Sequence, residues 1–256
     1  MTGNNPSRIV MTNRDRELFA LLHEARLLDR EQIQQSLSFG SVTRVNDRLS
    51  RLHAAGLLYR YFIGTIASGR KALYAISPRG AASVGREMIW KLHRAQNELL
   101  VGEAGIEHQL AVNWCWISMR RGPNPDLIRF VRFNEPISGA LPLVPDGYAE
   151  LQGAQGVQPV FLEVDLTTET SRVWARKVEL YLKLATSGEF QEIFRQQRFK
   201  VAVVCTSERR LQILRRIIRK QTTKLFYFSL LETTKRDGFA APHWIRPEGD
   251  ARESVA

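Results

Sequence analysis

Cysteine is scarce in this sequence, which contains only Cys115 and Cys205 among its 256 residues. Each lies inside an apolar segment, and neither belongs to a CxxC pair or is accompanied by a pair of histidines. A zinc site usually requires ligand spacings of that kind. We therefore predict two packed, reduced thiols and no zinc site built on them.

Long hydrophobic runs are also missing from the sequence. No apolar stretch approaches the roughly 18 residues needed to cross a bilayer, and the N-terminus lacks the pattern of a secretory signal. Hydrophobic residues still make up 44% of the chain, which is enough for packed cores. We expect a cytoplasmic protein without a membrane partner, folded as one large domain or two ordinary ones.

Acidic residues are fewer than basic ones. The sequence has 26 aspartates and glutamates and 37 lysines and arginines, which gives a net charge of +11. An excess of this size favours a polyanionic partner. Nucleic acid is the first candidate partner and an anionic membrane surface is the second; of these we predict double-stranded DNA and no membrane.

The first 85 residues are predicted to form a separate unit of three helices followed by a β-hairpin. Helix caps are expected at Asn13, Asp29 and Ser41, and apolar residues at helical spacing follow each of them. The third helix ends near Gly56, and two strand-like runs come after it. This order is typical of a winged helix-turn-helix, whose third helix enters a DNA major groove.

Polar and basic residues on this unit are candidates for contacts with DNA. They lie on the face of the third helix opposite its apolar stripe and at the tip of the hairpin, where they would meet phosphates or base edges. A solvated basic face is the alternative explanation. The candidate residues are Thr43, Arg44, Arg48, Arg51, Arg70 and Lys71.

The rest of the chain is predicted to alternate strands and helices. Three strands, a helix, a strand, a helix and a last strand indicate a mixed α/β (α+β) sheet flanked by helices, with a parallel crossover after the third strand. Within the carboxy-terminal tail, the stretch after about Pro247 is expected to be disordered. The predicted segments are a winged helix-turn-helix at 1–85, a linker helix region at 86–121, the α/β domain at 122–235 and the tail at 236–256.

Three acids are predicted to meet on one hairpin of this sheet. A turn centred between Ala154 and Gln155 would place Asp146 directly opposite Glu163, and Asp165 would share the face of Glu163 by the two-residue period of a strand. Like charges placed opposite each other destabilise a sheet. The pattern therefore indicates a bound cation, although a solvated acidic sheet face is the simpler alternative.

Several motifs resemble known families. Pro145-Asp146, then Glu163-Val164-Asp165 on the next strand, then a helix with Lys177, resembles the restriction-endonuclease-like nuclease fold over about residues 95 to 232. With the segments HQLAVN, PDGY and FLEVD, the whole chain resembles the replication-relaxation family of plasmid and mobile-element proteins. The resemblance implies a relaxase-like, metal-dependent endonuclease or nickase that acts on DNA at an origin.

The resemblance also assigns roles to the acid cluster. Asp146, Glu163 and Asp165 would be catalytic and would bind Mg²⁺ or Mn²⁺, which prefer oxygen ligands. Asp165 occupies the position where such nucleases usually carry lysine, and Lys177 is the expected replacement.

Other functions stay open at this stage. One alternative is a non-catalytic, sequence-specific DNA-binding regulator with a degenerate nuclease domain, and a homodimer is considered for either function. A covalent tyrosine relaxase or initiator with a histidine metal cluster fits poorly, because the five histidines form no HxH pair.

Overall fold

A computed structural model describes residues 9–64, 70–87, 102–121, 126–153 and 156–255. By their internal contacts the residues fall into two units, Met1–Asn113 and Trp114–Ala256. The boundary lies inside a helix of the segment that we predicted as a linker.

The amino-terminal unit contains the helices and the hairpin in the predicted order, with one additional short strand. Its three strands form an antiparallel sheet in the order β1-β3-β2. The tip of the hairpin lies outside the described residues. The elements are α1 (Asn13–Ala25), β1 (Leu28–Asp29), α2 (Arg30–Ser36), α3 (Val42–Ala54), β2 (Leu58–Gly64), β3 (Arg70–Ile76), α4 (Pro78–Ala82) and the first part of α5 (Gly102–Met119).

Side-chain caps determine where these helices begin. Asp29 accepts a hydrogen bond from the Gln32 backbone, and Ser41 accepts one from the Arg44 backbone, as predicted. The prediction for α1 was wrong by one residue. Thr12 is its cap and forms a reciprocal capping box with Asp15, because a hydroxyl one residue earlier can reach the third amide of the helix.

The carboxy-terminal unit is a mixed sheet flanked by helices, which confirms the predicted α/β class. Its seven strands have the order β10-β9-β8-β7-β6-β5-β4. Beyond α5, its elements are β4 (Asp126–Val131), β5 (Gly147–Gly153), β6 (Gly156–Asp165), α6 (Ser171–Thr186), α7 (Glu189–Phe194), β7 (Lys200–Cys205), α8 (Glu208–Arg219), β8 (Phe226–Leu230), α9 (Leu231–Asp237), β9 (Trp244–Ile245) and β10 (Arg252–Glu253).

The direction of the strands follows from their connections. Strand β6 pairs with β7 in parallel across α6, and β7 pairs with β8 in parallel across α8. The remaining pairs are antiparallel, including the hairpin of β5 and β6. The predicted parallel crossover is therefore confirmed.

The register of the hairpin also agrees with the prediction. Tyr148 pairs with Phe161, and Gly147 pairs with Leu162. The same register continued by one residue places Asp146 beside Glu163. The two central residues of the turn lie outside the described residues.

The predicted burial of β6 requires a correction. The two-residue alternation of the sequence predicts that Val160, Leu162, Val164 and Leu166 face a core and that Phe161 and the two acids lie on the other side. Both faces are in fact buried, and Phe161 belongs to the main core together with side chains of α6 and α8. Strand β6 is paired in parallel with β7 through a helical crossover, and helices usually cover both faces of such a region, so Glu163 and Asp165 are buried as well.

The prediction of a disordered tail after about residue 247 was wrong. Strands β9 and β10 pair with each other, and β9 joins the sheet edge through Phe228 and Ile245. Trp244 is fully buried, and its indole Nε1 donates to the Phe239 carbonyl at 2.7 Å. Two-residue strands are too short to show a period in the sequence.

Candidate active site on the central hairpin

Asp146 is fixed at the entrance to β5. Its backbone N–H donates to the Leu162 carbonyl at 3.1 Å, and its Oδ2 accepts the Val164 N–H at 2.7 Å. The next residue must be small, since a Cβ on Gly147 would lie 2.7 Å from the Phe130 ring. These contacts hold a partly exposed carboxylate beside the carboxyl end of β6.

Glu163 is buried in the sheet face covered by α6. Its side chain is 1% exposed, and Oε2 lies 2.8 Å from the Lys177 Nζ. Its other oxygen, Oε1, accepts the Tyr181 hydroxyl at 2.6 Å. Sequence reasoning did not identify Tyr181, although it stands four residues after Lys177 and therefore on the same helix face.

Lys177 is held between two carboxylates. In addition to Glu163, its Nζ contacts Glu169 Oε1 at 2.8 Å, and it lies 5.1 Å from the centre of the Trp174 ring. In the sequence, Lys177 falls on a helical stripe with Val173, Leu180 and Leu184, which predicts an ammonium directed toward the sheet, and these contacts agree with that prediction. Glu169 was not predicted, because it lies in the irregular loop between β6 and α6.

Asp165 has a different role from the predicted one. Arg210 binds its carboxylate with two parallel hydrogen bonds, from Nε to Oδ1 at 2.7 Å and from Nη2 to Oδ2 at 2.8 Å. The Trp174 indole and the Thr167 backbone donate to the same two oxygens. Four hydrogen bonds already hold this carboxylate, which corrects its expected use as a catalytic metal ligand.

The two buried acids of β6 have opposite pKa shifts. Burial raises the pKa of Glu163 to about 7, an effect that Lys177 opposes and Asp146 reinforces. Burial alone would also raise the pKa of Asp165, but the hydrogen bonds from Arg210, Trp174 and Thr167 outweigh it and lower the pKa. The difference comes from the partners of each acid.

Lys177 remains a cation in this environment. Burial alone would lower the pKa of its ammonium, but the charges of Glu163 and Glu169 and the hydrogen bonds to them raise that pKa above its ordinary value.

Asp146 and Glu163 are the residues that fit a divalent ion. Both supply carboxylate oxygens, and Mg²⁺ is usually held by one or two carboxylates together with waters and substrate phosphates. Within the described part of the chain, no group of three or more His, Cys, Asp or Glu side chains is placed to hold a metal. The three acids are therefore not found together as one metal-binding group, and a site on Asp146 and Glu163 stays a prediction.

The predicted DNA contacts of the amino-terminal unit divide into two groups. Thr43, Arg44, Arg51 and Arg70 have exposed side chains. Arg48 and Lys71 are instead engaged within the unit. The Arg48 side chain is only 21% exposed and pairs with Asp15, while Lys71 Nζ contacts Asp29 Oδ2 at 2.7 Å.

Internal ion pairs therefore weaken Arg48 and Lys71 as candidates. Sequence reasoning also missed an aromatic and basic group on β2, where Tyr59, Arg60 and Phe62 are exposed. The arginine lies over the Phe62 ring, with its Cζ 5.4 Å from the ring centre.

The two cysteines agree with their prediction. Cys115 and Cys205 are both free and buried, and burial raises the pKa of each thiol. No helix in the described ranges is both long enough and apolar enough to cross a membrane.

Two solved structures of the restriction endonuclease FokI show a weak similarity to this chain. The first has a TM-score of 0.31 at 12% identity, and the second, bound to DNA, has a TM-score of 0.30 at 11% identity. Each match covers 90% of this chain and 46% of the FokI chain, so this chain spans less than half the length of the enzyme. The search of curated proteins found no match.

The family comparison is more informative. The replication-relaxation family model matches residues 19–195, which is more than half of the sequence. The matched segment contains Asp146, Glu163, Asp165 and Lys177, and it ends before Arg210. This chain therefore belongs to the replication-relaxation family.

Proposed function

We propose that this protein is a metal-dependent DNA endonuclease or nickase that acts at the origin of a plasmid or mobile element. The observation that carries the proposal is the convergence of Asp146, Glu163 and Lys177 at one end of the hairpin. A partly exposed acid, a buried acid and a lysine side chain are the groups that metal-assisted phosphodiester cleavage needs.

Each residue has a distinct role in this mechanism. Asp146 and Glu163 would hold the divalent ion, and the Tyr181 hydroxyl, which donates to Glu163, would fix the orientation of that carboxylate. When bound, the ion lowers the pKa of the attacking water and balances charge on the scissile phosphate. Lys177 adds a positive charge where negative charge grows in the transition state.

The amino-terminal unit supplies recognition of DNA in this proposal. Its element order supports a winged helix-turn-helix, with α3 as the helix that enters the major groove. Thr43, Arg44, Arg51 and Arg70 are its contact residues, because their side chains are exposed.

The carboxy-terminal unit would add contacts that do not depend on DNA sequence. Arg209, Arg216 and Lys220 are exposed on α8 or directly after it. Spacings of seven and four residues place them on one side of the helix. Such a row suits the phosphate backbone of DNA.

A non-catalytic DNA-binding regulator is the second candidate. Two observations favour it: the Asp165 carboxylate is bound by Arg210, and Lys177 is already bound by two carboxylates. In such a regulator these contacts would serve only the stability of the fold.

Cleavage of a supercoiled plasmid that carries the protein's own origin separates the two candidates. We expect nicked or linear product with Mg²⁺ or Mn²⁺ and none with EDTA. Asp146→Asn and Glu163→Gln should abolish the product, whereas Glu192→Gln, a change at an exposed glutamate of α7, should not. Cutting that survives both active-site substitutions would refute the mechanism, and origin binding without cutting would favour the regulator.

A further inference from the structure

The loop between β6 and α6, residues 166–170, is fixed at several points. Arg210 donates from Nη2 to the Glu169 carbonyl at 2.6 Å while it binds Asp165. Thr167 has a positive φ of 72°, an uncommon conformation for a residue other than glycine, and its N–H donates to Asp165. The loop is therefore held in one defined conformation.

That conformation determines where the Glu169 carboxylate lies. Its Oε1 is 2.8 Å from the Lys177 Nζ, and its side chain is 31% exposed. Glu163 lies at the same distance from the ammonium but is 1% exposed. Lys177 thus has one buried and one accessible anionic partner.

A divalent ion on Asp146 and Glu163 would change this balance. The ion would attract the Glu163 carboxylate and repel the nearby Lys177 ammonium. Lys177 is only 18% exposed, and an unpaired cation in such a place is costly. A second carboxylate outside the metal site is then needed to keep the ammonium in place.

We propose that Glu169 is a positioning residue that retains Lys177 beside the scissile phosphate when the metal ion occupies Glu163. The Asp165–Arg210 pair fixes the loop that carries Glu169. This inference rests on the proposed function, because it assumes a metal ion on Asp146 and Glu163. Glu169 acts through Lys177 and does not bind the ion itself.

A double-mutant cycle on Mn²⁺ affinity tests the proposal, with titration calorimetry on the full chain and without DNA. Lys177→Gln should tighten Mn²⁺ binding, because it removes a competing cation. Glu169→Gln should weaken it roughly tenfold, the lower end of effects from residues that support metal ligands. In the Lys177→Gln background, Glu169→Gln should have almost no further effect on Mn²⁺ affinity, since the lysine that Glu169 holds in place is absent.

The control is Glu179→Gln, which removes one negative charge from α6, the helix that carries Lys177. Glu179 pairs with the exposed Arg176 and leaves Lys177 untouched, so Mn²⁺ affinity should stay unchanged. If Glu169→Gln lowers Mn²⁺ affinity equally in the unsubstituted protein and in Lys177→Gln, Glu169 is a metal ligand. If it lowers the affinity in neither, Glu169 is only structural. Either result would overturn the proposal.

A second measurement works without metal. The rate at which an amine-reactive reagent modifies Lys177, followed by mass spectrometry, should rise several-fold in Glu169→Gln and stay constant in Glu179→Gln, because only the first change removes one of the two contacts that hold the Lys177 side chain in place. An unchanged rate would also overturn the proposal. A faster rate combined with an absence of Mn²⁺ binding by the unsubstituted protein would refute the metal-dependent function and keep the Glu169–Lys177 contact.

Discussion

The surroundings of Glu163 and Asp165 differ sharply although the two acids share one strand and one face. Burial raises the pKa of Glu163 to about 7, and its ammonium and phenol partners offset only part of that rise. Asp165 is met by a guanidinium, an indole and a backbone amide, and its pKa is lowered. Nearly complete burial is common to both, so the partners decide which acid remains available for chemistry.

The Asp165 region is expected to serve stability and the Glu163 region to serve the reaction. In the amino-terminal unit, Arg48 binds the buried carboxylate of Asp15 in the way that Arg210 binds Asp165. The following changes test this division, beginning with the largest expected effect.

Arg210→Met should lower the free energy of unfolding by about 3–5 kcal/mol, because it leaves the buried Asp165 charge without its main partner. Urea unfolding measures the loss. Arg209→Met, at the exposed neighbouring position, is the control and should change stability by less than about 0.5 kcal/mol. Similar effects of the two substitutions would contradict a structural role for Asp165.

Lys177→Gln should lower the rate of plasmid cleavage by about 10²–10³-fold, the range seen when one group that stabilises a transition state is removed. Single-turnover rates at saturating Mn²⁺ measure the effect. Lys183→Gln, at an exposed lysine of α6, should leave the rate unchanged. Cleavage that is equally fast in both variants would remove Lys177 from the mechanism.

Asp15→Asn should destabilise the protein by about 1–3 kcal/mol at pH 7, because a buried charged hydrogen bond is lost. Burial alone would raise the pKa of Asp15, but Arg48 and Thr12 lower it below the ordinary value of 3.8. The stabilisation is therefore present above pH 3.8 and disappears as the pH falls through the folded-state pKa. Unfolding curves of both proteins should differ at pH 7 and converge under acid conditions, and a constant difference would contradict the assignment.

Arg51→Ala should produce the smallest change. If its exposed guanidinium contacts one phosphate, the slope of log affinity for origin DNA against log salt should fall by about 0.9, with little effect on stability. Arg48→Ala should chiefly destabilise the protein, because this residue is already paired with Asp15. Binding measured across a salt series and thermal unfolding distinguish the two arginines.

The sequence predicted features that depend on period and local chemistry. The helix starts at Asp29 and Ser41 depend on a side chain and an amide three residues apart, and the register of Tyr148 and Phe161 depends on one turn. Such relations are visible in a single stretch of chain. The place of Lys177 on the helical stripe of α6 likewise predicts that its ammonium points toward the sheet, where it contacts Glu163.

Contacts between distant segments were not predictable in this way. Arg210 stands 45 residues after Asp165, and nothing near either residue indicates that they pair. In the sequence Asp165 matches the pattern of a metal ligand, and only the three-dimensional structure shows that the Arg210 guanidinium binds its carboxylate. The ion pairs of Arg48 and Lys71 were not predictable for the same reason, because their partners Asp15 and Asp29 lie 33 and 42 residues away.

The position of Arg210 along the chain also bears on how the protein is assembled during synthesis. The strand with Glu163 and the helix with Lys177 emerge from the ribosome before α8 does. Until α8 follows, Asp165 lacks its guanidinium and the loop with Glu169 lacks the hydrogen bond to its carbonyl. Completion of the site is thus coupled to the docking of a helix made later, and an unfinished chain that ends before residue 210 would carry the acids without the contacts that order them.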